Sequence, residues 1–357
     1  MKIINRYILE ESRGPIVASV FIFTFIFLLD IMVAMMESII VKGVSLINIL
    51  RMLSFYVPAI LTQTLPLGLF LGVMICFSKF TRSSETVAMV SIGLSIKKIL
   101  KPVLAIALAL SLFILFLQES IIPRSFVKLK FLGTKIAYEN PVFQLKEKTF
   151  MNNLKDYSLY VDKVNKEGKA KDIIVFQKNK DGFPTVLVGR EAYWKNSSII
   201  LKDSDFFAFD KEGKNNLKGS FKNKKIYLTA FFKNFKLKIK DVESLGIKEL
   251  LKEMKEKKGT NRIKYKIEIY RKLALIFSTF PLAILGVGLT ISHHRSSKKM
   301  VFSLAIAIIF SYVILQNMGI VLATSGKIYP FIGTWVPNFI LYLIAYFVYR
   351  MKKLRGI

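Results

Sequence analysis

Six stretches of the chain run for about a membrane thickness with no charge or one. Ile16–Met36 carries a single charge, Asp30, whereas Met52–Ser78, Pro102–Gln118, Leu273–Ser292, Met300–Gly326 and Ile328–Tyr349 carry none. A bilayer core takes about 20 predominantly apolar residues per helix. The pattern therefore predicts six transmembrane helices, three before residue 122 and three after 270. The first run is too long for the apolar core of a cleaved signal, and no small-residue cleavage pattern follows it, so it is read as a span.

Between the third and fourth runs the pattern changes period. In Ser158–Val164, Leu159 and Val161 fall on one face and Tyr160 and Asp162 on the other, the alternation of a half-buried strand. Asp172–Gln177, Thr185–Trp194, Ser198–Phe209 and Lys225–Phe232 are further strand candidates. Turn chemistry at Lys166–Gly168, Asn179–Gly182 and Lys211–Gly213 separates them. Five or more short strands at this spacing suggest a small sandwich or jelly roll. A helical patch, Ile247–Lys258, then leads back to the membrane. The expected fold class is an α-helical membrane protein with six transmembrane helices and an extracytoplasmic all-β, jelly-roll-like domain between spans three and four. The expected division is 1–121 for the first three spans, 122–266 for the β-domain with its helical return, and 267–357 for the last three spans.

Composition agrees: the 357 residues are 53% hydrophobic, include 30 Phe and carry a formal charge of +30. A soluble domain does not combine that apolar content with such long uncharged runs. The Lys/Arg distribution sets the orientation. Basic residues crowd the N-terminal segment, the second loop (Lys79, Arg82, Lys97, Lys98, Lys101), the fourth loop (Arg295, Lys298, Lys299) and the tail, while the opposite side has Lys42, Arg51 and Lys327. Both termini are expected on the cytoplasmic side, and the large segment between spans three and four outside. Residues 122–267 hold 34 Lys/Arg against 17 acids. That excess suits an anionic headgroup, or it reflects a lysine-rich composition with solvated side chains. Nucleic acid is not an expected partner on that side.

The chemistry of catalysis is missing from the sequence. The two histidines are adjacent, His293 and His294, and the single cysteine, Cys76, lies in the second run. No phosphate-cradling G-x-x-x-x-G-K-[ST] motif occurs. The expectation is no enzyme, no cofactor and no metal, with any energy source on another chain.

The loop between the second and third runs is unusual. Residues 83–98 read as one helix, with Ser84 as its cap, Glu85 in its first turn and Lys97, Lys98 and Lys101 at its far end, matching the helix dipole. Small residues Ala88, Ser91 and Gly93 permit close approach by another protein. The same composition also suits a plain interfacial helix lying on lipid.

Arg82–Ser95 (RSSETVAMVSIGLS) resembles the coupling-helix motif of the LptF/LptG family of lipopolysaccharide-export permeases. Asn5–Pro15 (NRYILEESRGP) is similar to the family's lead-in to span one. Leu65–Val73 (LPLGLFLGV) is similar to its second span, and Ile267–Gly286, with Glu268 and Arg271, to its fourth. The loop His293–Lys299 departs from the family's Pro-Arg-x-Gly-Arg-like form. The insert matches by position and class alone.

The resemblance implies a permease subunit of an ABC transporter. It implies a cytoplasmic ATPase dimer as partner, together with a second LptF/LptG-type permease, a periplasmic bridge or single-span jelly-roll protein, and lipopolysaccharide as the lipid carried. It marks Ser84, Glu85, Ala88, Met89 and Gly93 as ATPase-docking residues. Asp30, inside a span, and Lys42 and Arg51, just beyond it, are candidate lipid contacts; interfacial anchoring explains the two bases equally. Glu268 and Arg271, at i and i+3, form an expected structural pair. Pro58, Pro66 and Pro281 fall within spans and are either hinges or static kinks. Another ABC-type permease that exports a different lipid or lipoprotein is the alternative.

Overall fold

The computed structural model describes all residues except 1, 41–43, 140–147, 155–156, 165–169, 178–182, 196–197, 210–214, 228–241, 257–259, 292–297 and 355–357. Lys42, the three predicted turns, the end of the strand expected to reach Phe232 and most of the His293–Lys299 loop lie outside the described residues. The chain divides into two compact units. One comprises Met1–Met32, Leu53–Val127 and Lys240–Ile357, and the other Val33–Met52 and Lys128–Ile239.

The six uncharged runs lie in helices α1 (Lys2–Ile40), α2 (Leu46–Arg82), α4 (Ile96–Phe116), α7 (Thr260–Thr290), α8 (Lys298–Thr324) and α9 (Pro330–Leu354). All six are long and apolar enough to cross a membrane. The helix α2 forms the centre of its unit: its most apolar stretch is 83% buried, against 11% for α1 and 17% for α8. Gly68 and Gly72, four apart in LPLGLFLG, let α1 close on it. A Cβ on Gly72 would stand 2.4 Å from the Ile16 Cα, the close approach that small-xxx-small spacing allows in membranes.

Several polar groups inside the bundle find partners, as a medium without water demands. Ser111 Oγ lies 2.6 Å from Thr279 Oγ1 and 3.0 Å from the Ile276 carbonyl. Asn338 Nδ2 donates to the Ala274 carbonyl at 2.6 Å and its Oδ1 accepts from the Tyr312 hydroxyl at 3.1 Å.

The third span does not end where its uncharged run ends. A π-helical turn, Leu117–Ile121, joins α4 to α5 (Ile122–Glu139), so residues 122–139 are helical, and from Lys128 on they belong to the unit that holds the sheet. Pro123 cannot donate to the carbonyl four residues back, and the helix accommodates it by widening just before. Leu129 and Leu132 are buried while Arg124 and Lys128 are exposed, a helical rather than alternating pattern.

The insert is one six-stranded antiparallel sheet in consecutive order. Its strands are β1 (Thr149–Leu154), β2 (Tyr157–Val164), β3 (Ala170–Gln177), β4 (Thr185–Lys195), β5 (Ser198–Phe209) and β6 (Asn215–Tyr227). Leu159, Val175 and Leu187 stand in one row through the pairs Leu159↔Val175 and Val175↔Leu187, and all three are buried.

Along β3, β4 and β5 the buried positions slip by one residue. Ala170 and Ile173 are both buried, as are Gly189 and Ala192, and Leu201 and Ser204. Asp172 and Asp203, inside two of these steps, have φ of 52° and 45°. Aspartate tolerates this left-handed conformation better than most residues. The cross-strand pairs Lys171↔Glu191 and Ile173↔Gly189, then Gly189↔Ser204 and Glu191↔Lys202, bracket the slip in adjacent strands. It is a single line across the sheet where strict alternation is broken, so that apolar residues on either side of it stay buried.

A short 3₁₀ turn, Val242–Ser244, and helix α6 (Ile247–Glu256) return the chain to α7. Leu245, Leu250, Tyr265 and Ile269 form their shared core.

Candidate functional site

The loop after α2 folds as two helices, not one. Helix α3 spans Glu85–Ser91 and α4 starts at Ile96. The break is a Schellman closure: Gly93 N–H donates to the Val90 carbonyl at 2.8 Å and Leu94 N–H to Met89 at 3.1 Å. Gly93 takes a φ of 78° there, a conformation that glycine adopts without a Cβ clash. Lys97, Lys98 and Lys101 therefore fall in the first turns of α4, at the positive end of its dipole, contrary to the expectation that they close the preceding helix.

Ser84 precedes α3 with φ of 60° and makes no side-chain capping bond, so the expected cap is absent. The preceding Ser83 meets the helix through a side-chain contact, its hydroxyl donating to Glu85 Oε1 at 2.6 Å. The other carboxylate oxygen accepts from the Tyr7 hydroxyl at 2.8 Å, and the Tyr7 ring stacks on Phe80 with centroids 5.4 Å apart. Thr86 Oγ1 donates to Thr81 Oγ1 at 3.3 Å, which donates to the Thr290 carbonyl at 3.0 Å. Met89 is buried with Ile8, Phe77, Phe80 and Ile96. One face of α3 is thus tied to α1, α2 and α7. Its other face leaves Val87 49% and Ile92 70% exposed, with Ala88 exposed between them.

A second polar constellation lies at the opposite ends of these helices. Glu268, 6% exposed, accepts from Arg271 Nη2 at 2.7 Å and Nε at 2.9 Å, a two-pronged pair within one turn of α7. The next residue, Lys272, is buried and its ammonium donates to the Leu245 carbonyl just before α6. The π-helical turn supplies two more groups. Gln118 Nε2 donates to the Lys272 carbonyl at 3.4 Å. Glu119 Oε1 accepts from the Lys248 N–H at 3.3 Å, at the start of α6, where a carboxylate meets the positive helix end. Asp30 from α1, Tyr56 from α2, Gln118, Glu243, Arg271 and Lys272 line a cavity of about 320 Å³ here.

Asp30 is exposed on α1 and lines the cavity; Arg51 is exposed near the start of α2; Lys42 lies outside the described residues. Sequence reasoning missed Tyr7, Lys272 and Gln118. Tyr7 sits in the quoted lead-in but its partner is 78 residues away, and no local pattern links them. Lys272 and Gln118 each stand at the end of an uncharged run, and that position was the available signal. Among the described residues no cluster of three or more His, Cys, Asp or Glu side chains can hold a metal ion.

The family model described as lipopolysaccharide export system permease LptF/LptG matches residues 6–352. No curated protein gives a significant match.

Proposed function

The chain belongs to the LptF/LptG family of lipopolysaccharide export permeases, and from that premise we propose that α3 is the helix on which the transporter's ATPase docks. The protein is a multi-span permease subunit of an ABC transporter whose ATPase is a separate component. In the proposed arrangement a cytoplasmic ATPase dimer seats on the exposed face of α3, around Val87, Ala88 and Ile92. A second LptF/LptG-type permease completes the lipid cavity. A periplasmic bridge or single-span jelly-roll protein receives lipopolysaccharide from the β-domain. Both termini are cytoplasmic, and Lys42 and Arg51 face the carried lipid.

The observation that carries this reading is the two-faced character of α3. A helix merely resting on lipid has no need of a carboxylate held at both oxygens and a threonine relay to α7. A helix that must transmit force does. Ser84 and Gly93 contribute the turns at its two ends, Met89 seats it in the bundle, Glu85 ties it to α1, and Ala88 lies on the docking face.

The test is a pull-down of the tagged full chain in mild detergent, comparing wild type with Ala88→Trp and Glu85→Lys. The expected result is a stoichiometric ATPase and a second six-span protein with wild type, and loss of the ATPase alone with both variants. Retention of the ATPase by both variants overturns the docking assignment.

A further inference from the structure

We propose that the cavity between α1, α2, the π-helical turn and α7 binds the headgroup of a phospholipid bearing both a phosphate and a primary ammonium, as a resident lipid distinct from the one transported. The argument begins with unmet hydrogen bonds. Gln118 is 1% exposed, and its Oε1 has no hydrogen-bond partner among the described residues although it lines a polar cavity. A buried acceptor left unpaired costs free energy, so the site calls for a donor. Lys272, 3% exposed, carries three N–H donors, and the Leu245 carbonyl takes one. Arg271 spends Nε and Nη2 on Glu268, leaving Nη1.

Charge then narrows the class. The lining holds two acids, Asp30 and Glu243, and two bases, Arg271 and Lys272. A purely anionic group would meet the two carboxylates, and a lone cation would meet the two bases. A zwitterion satisfies both halves, its phosphate toward Lys272 and Arg271 and its ammonium toward Gln118 and the acids.

Depth and size agree. The uncharged run of α7 starts at Leu273, next to Lys272, and that of α4 ends at Gln118, so the cavity lies where hydrocarbon gives way to headgroups. Tyr56 and Phe126 pack edge to face beside it at 6.1 Å, the aromatic setting of that level. At about 320 Å³ the cavity sits at the small end of ligand pockets, room for a headgroup and not for a whole lipid.

The test is native mass spectrometry of the purified full chain with its co-purifying subunits, delipidated and titrated with dioleoyl phosphatidylethanolamine, phosphatidylcholine or phosphatidylglycerol. The trimethylated headgroup keeps both charges but has no N–H, and the glycerol headgroup has no cation. The expected result is retention of the ethanolamine lipid at least about fivefold over either, the worth of roughly one net hydrogen bond. Gln118→Leu should erase the ethanolamine–choline difference while keeping binding, and Lys272→Met should weaken all three. Equal retention of the three lipids by wild type, or none, overturns the proposal, as does a preference that survives Gln118→Leu. The wild-type comparison needs no variant to fold, and it is independent of ATPase docking.

Discussion

Tyr7, in the second turn of α1, donates its hydroxyl to Glu85, the first residue of α3, at 2.8 Å. The acceptor belongs to the helix proposed to carry the ATPase, and the donor to a span that the rest of the chain covers little. This bond is a direct path by which a displacement of α3 reaches α1. Tyr7→Phe keeps the ring stacked on Phe80 and removes only the donor. A hydrogen bond to a charged group contributes about 1.5–3 kcal/mol. The expected phenotype is an ATPase that still binds and hydrolyses but drives less lipid release per ATP. A double-mutant cycle of Tyr7→Phe with Glu85→Gln, read on that ratio in proteoliposomes, should show the two changes to be non-additive; strict additivity would remove the tie from the mechanism.

Gly93 separates two effects that a docking assignment tends to merge. A Cβ there would meet nothing within 4 Å, yet φ is 78°. Gly93→Ala should therefore cost about 1 kcal/mol through backbone strain alone, and Gly93→Asn less, because asparagine tolerates that conformation. If thermal unfolding and ATPase retention both follow the order Gly, Asn, Ala, the residue acts by ending α3. If both substitutions release the ATPase equally without loss of stability, it is a contact surface.

The six spans and the all-β insert were legible because hydrocarbon thickness and two-residue alternation are local signals. The β5 limits, Ser198–Phe209, coincide with the sequence pattern. The strand β1 and the first part of β6 were not seen. Their sequences, TFMNNL and NNLKGSFKNK, are rich in Asn, Lys and Gly, and cross-strand pairing rather than propensity holds them extended. The line of slipped alternation at Asp172 and Asp203 was hidden for a related reason: period counting assumes that the period never breaks. In the loop after α2 the reading of 83–98 as one helix took Gly93 for a small residue that permits close approach, whereas its positive φ ends α3. The cavity escaped because its groups come from five separate segments.

The Glu268–Arg271 pair makes a prediction with a sign change. Removing one partner of a buried pair leaves the other charge uncompensated, at a cost of about 3–5 kcal/mol, whereas replacing both with apolar residues is often neutral. Glu268→Leu should lower the unfolding temperature of the detergent-solubilised protein strongly, and Glu268→Leu with Arg271→Met should recover most of it. A double variant as unstable as the single one would indicate that Glu268 has a role beyond neutralising Arg271.

The α8–α9 contact rests on two glycines facing each other. A Cβ on Gly319 would stand 1.9 Å from the Gly333 carbonyl oxygen, and one on Gly333 would stand 2.4 Å from the Gly319 oxygen. Both obstacles are backbone, so no rotamer change relieves them, and the helices themselves must separate. Overpacking of this kind costs about 1–3 kcal/mol. Helix association in lipid depends on close van der Waals packing rather than on a hydrophobic drive, so a parting of the backbones weakens the pair along much of its length. Gly319→Val and Gly333→Val should each destabilise the protein. They should also reduce the yield of a disulfide between cysteines introduced on the facing sides of α8 and α9 more than the same substitution at Gly14, whose Cβ would meet nothing within 4 Å. If Gly319→Val leaves both the unfolding temperature and the cross-linking yield unchanged, the two helices do not approach at these glycines.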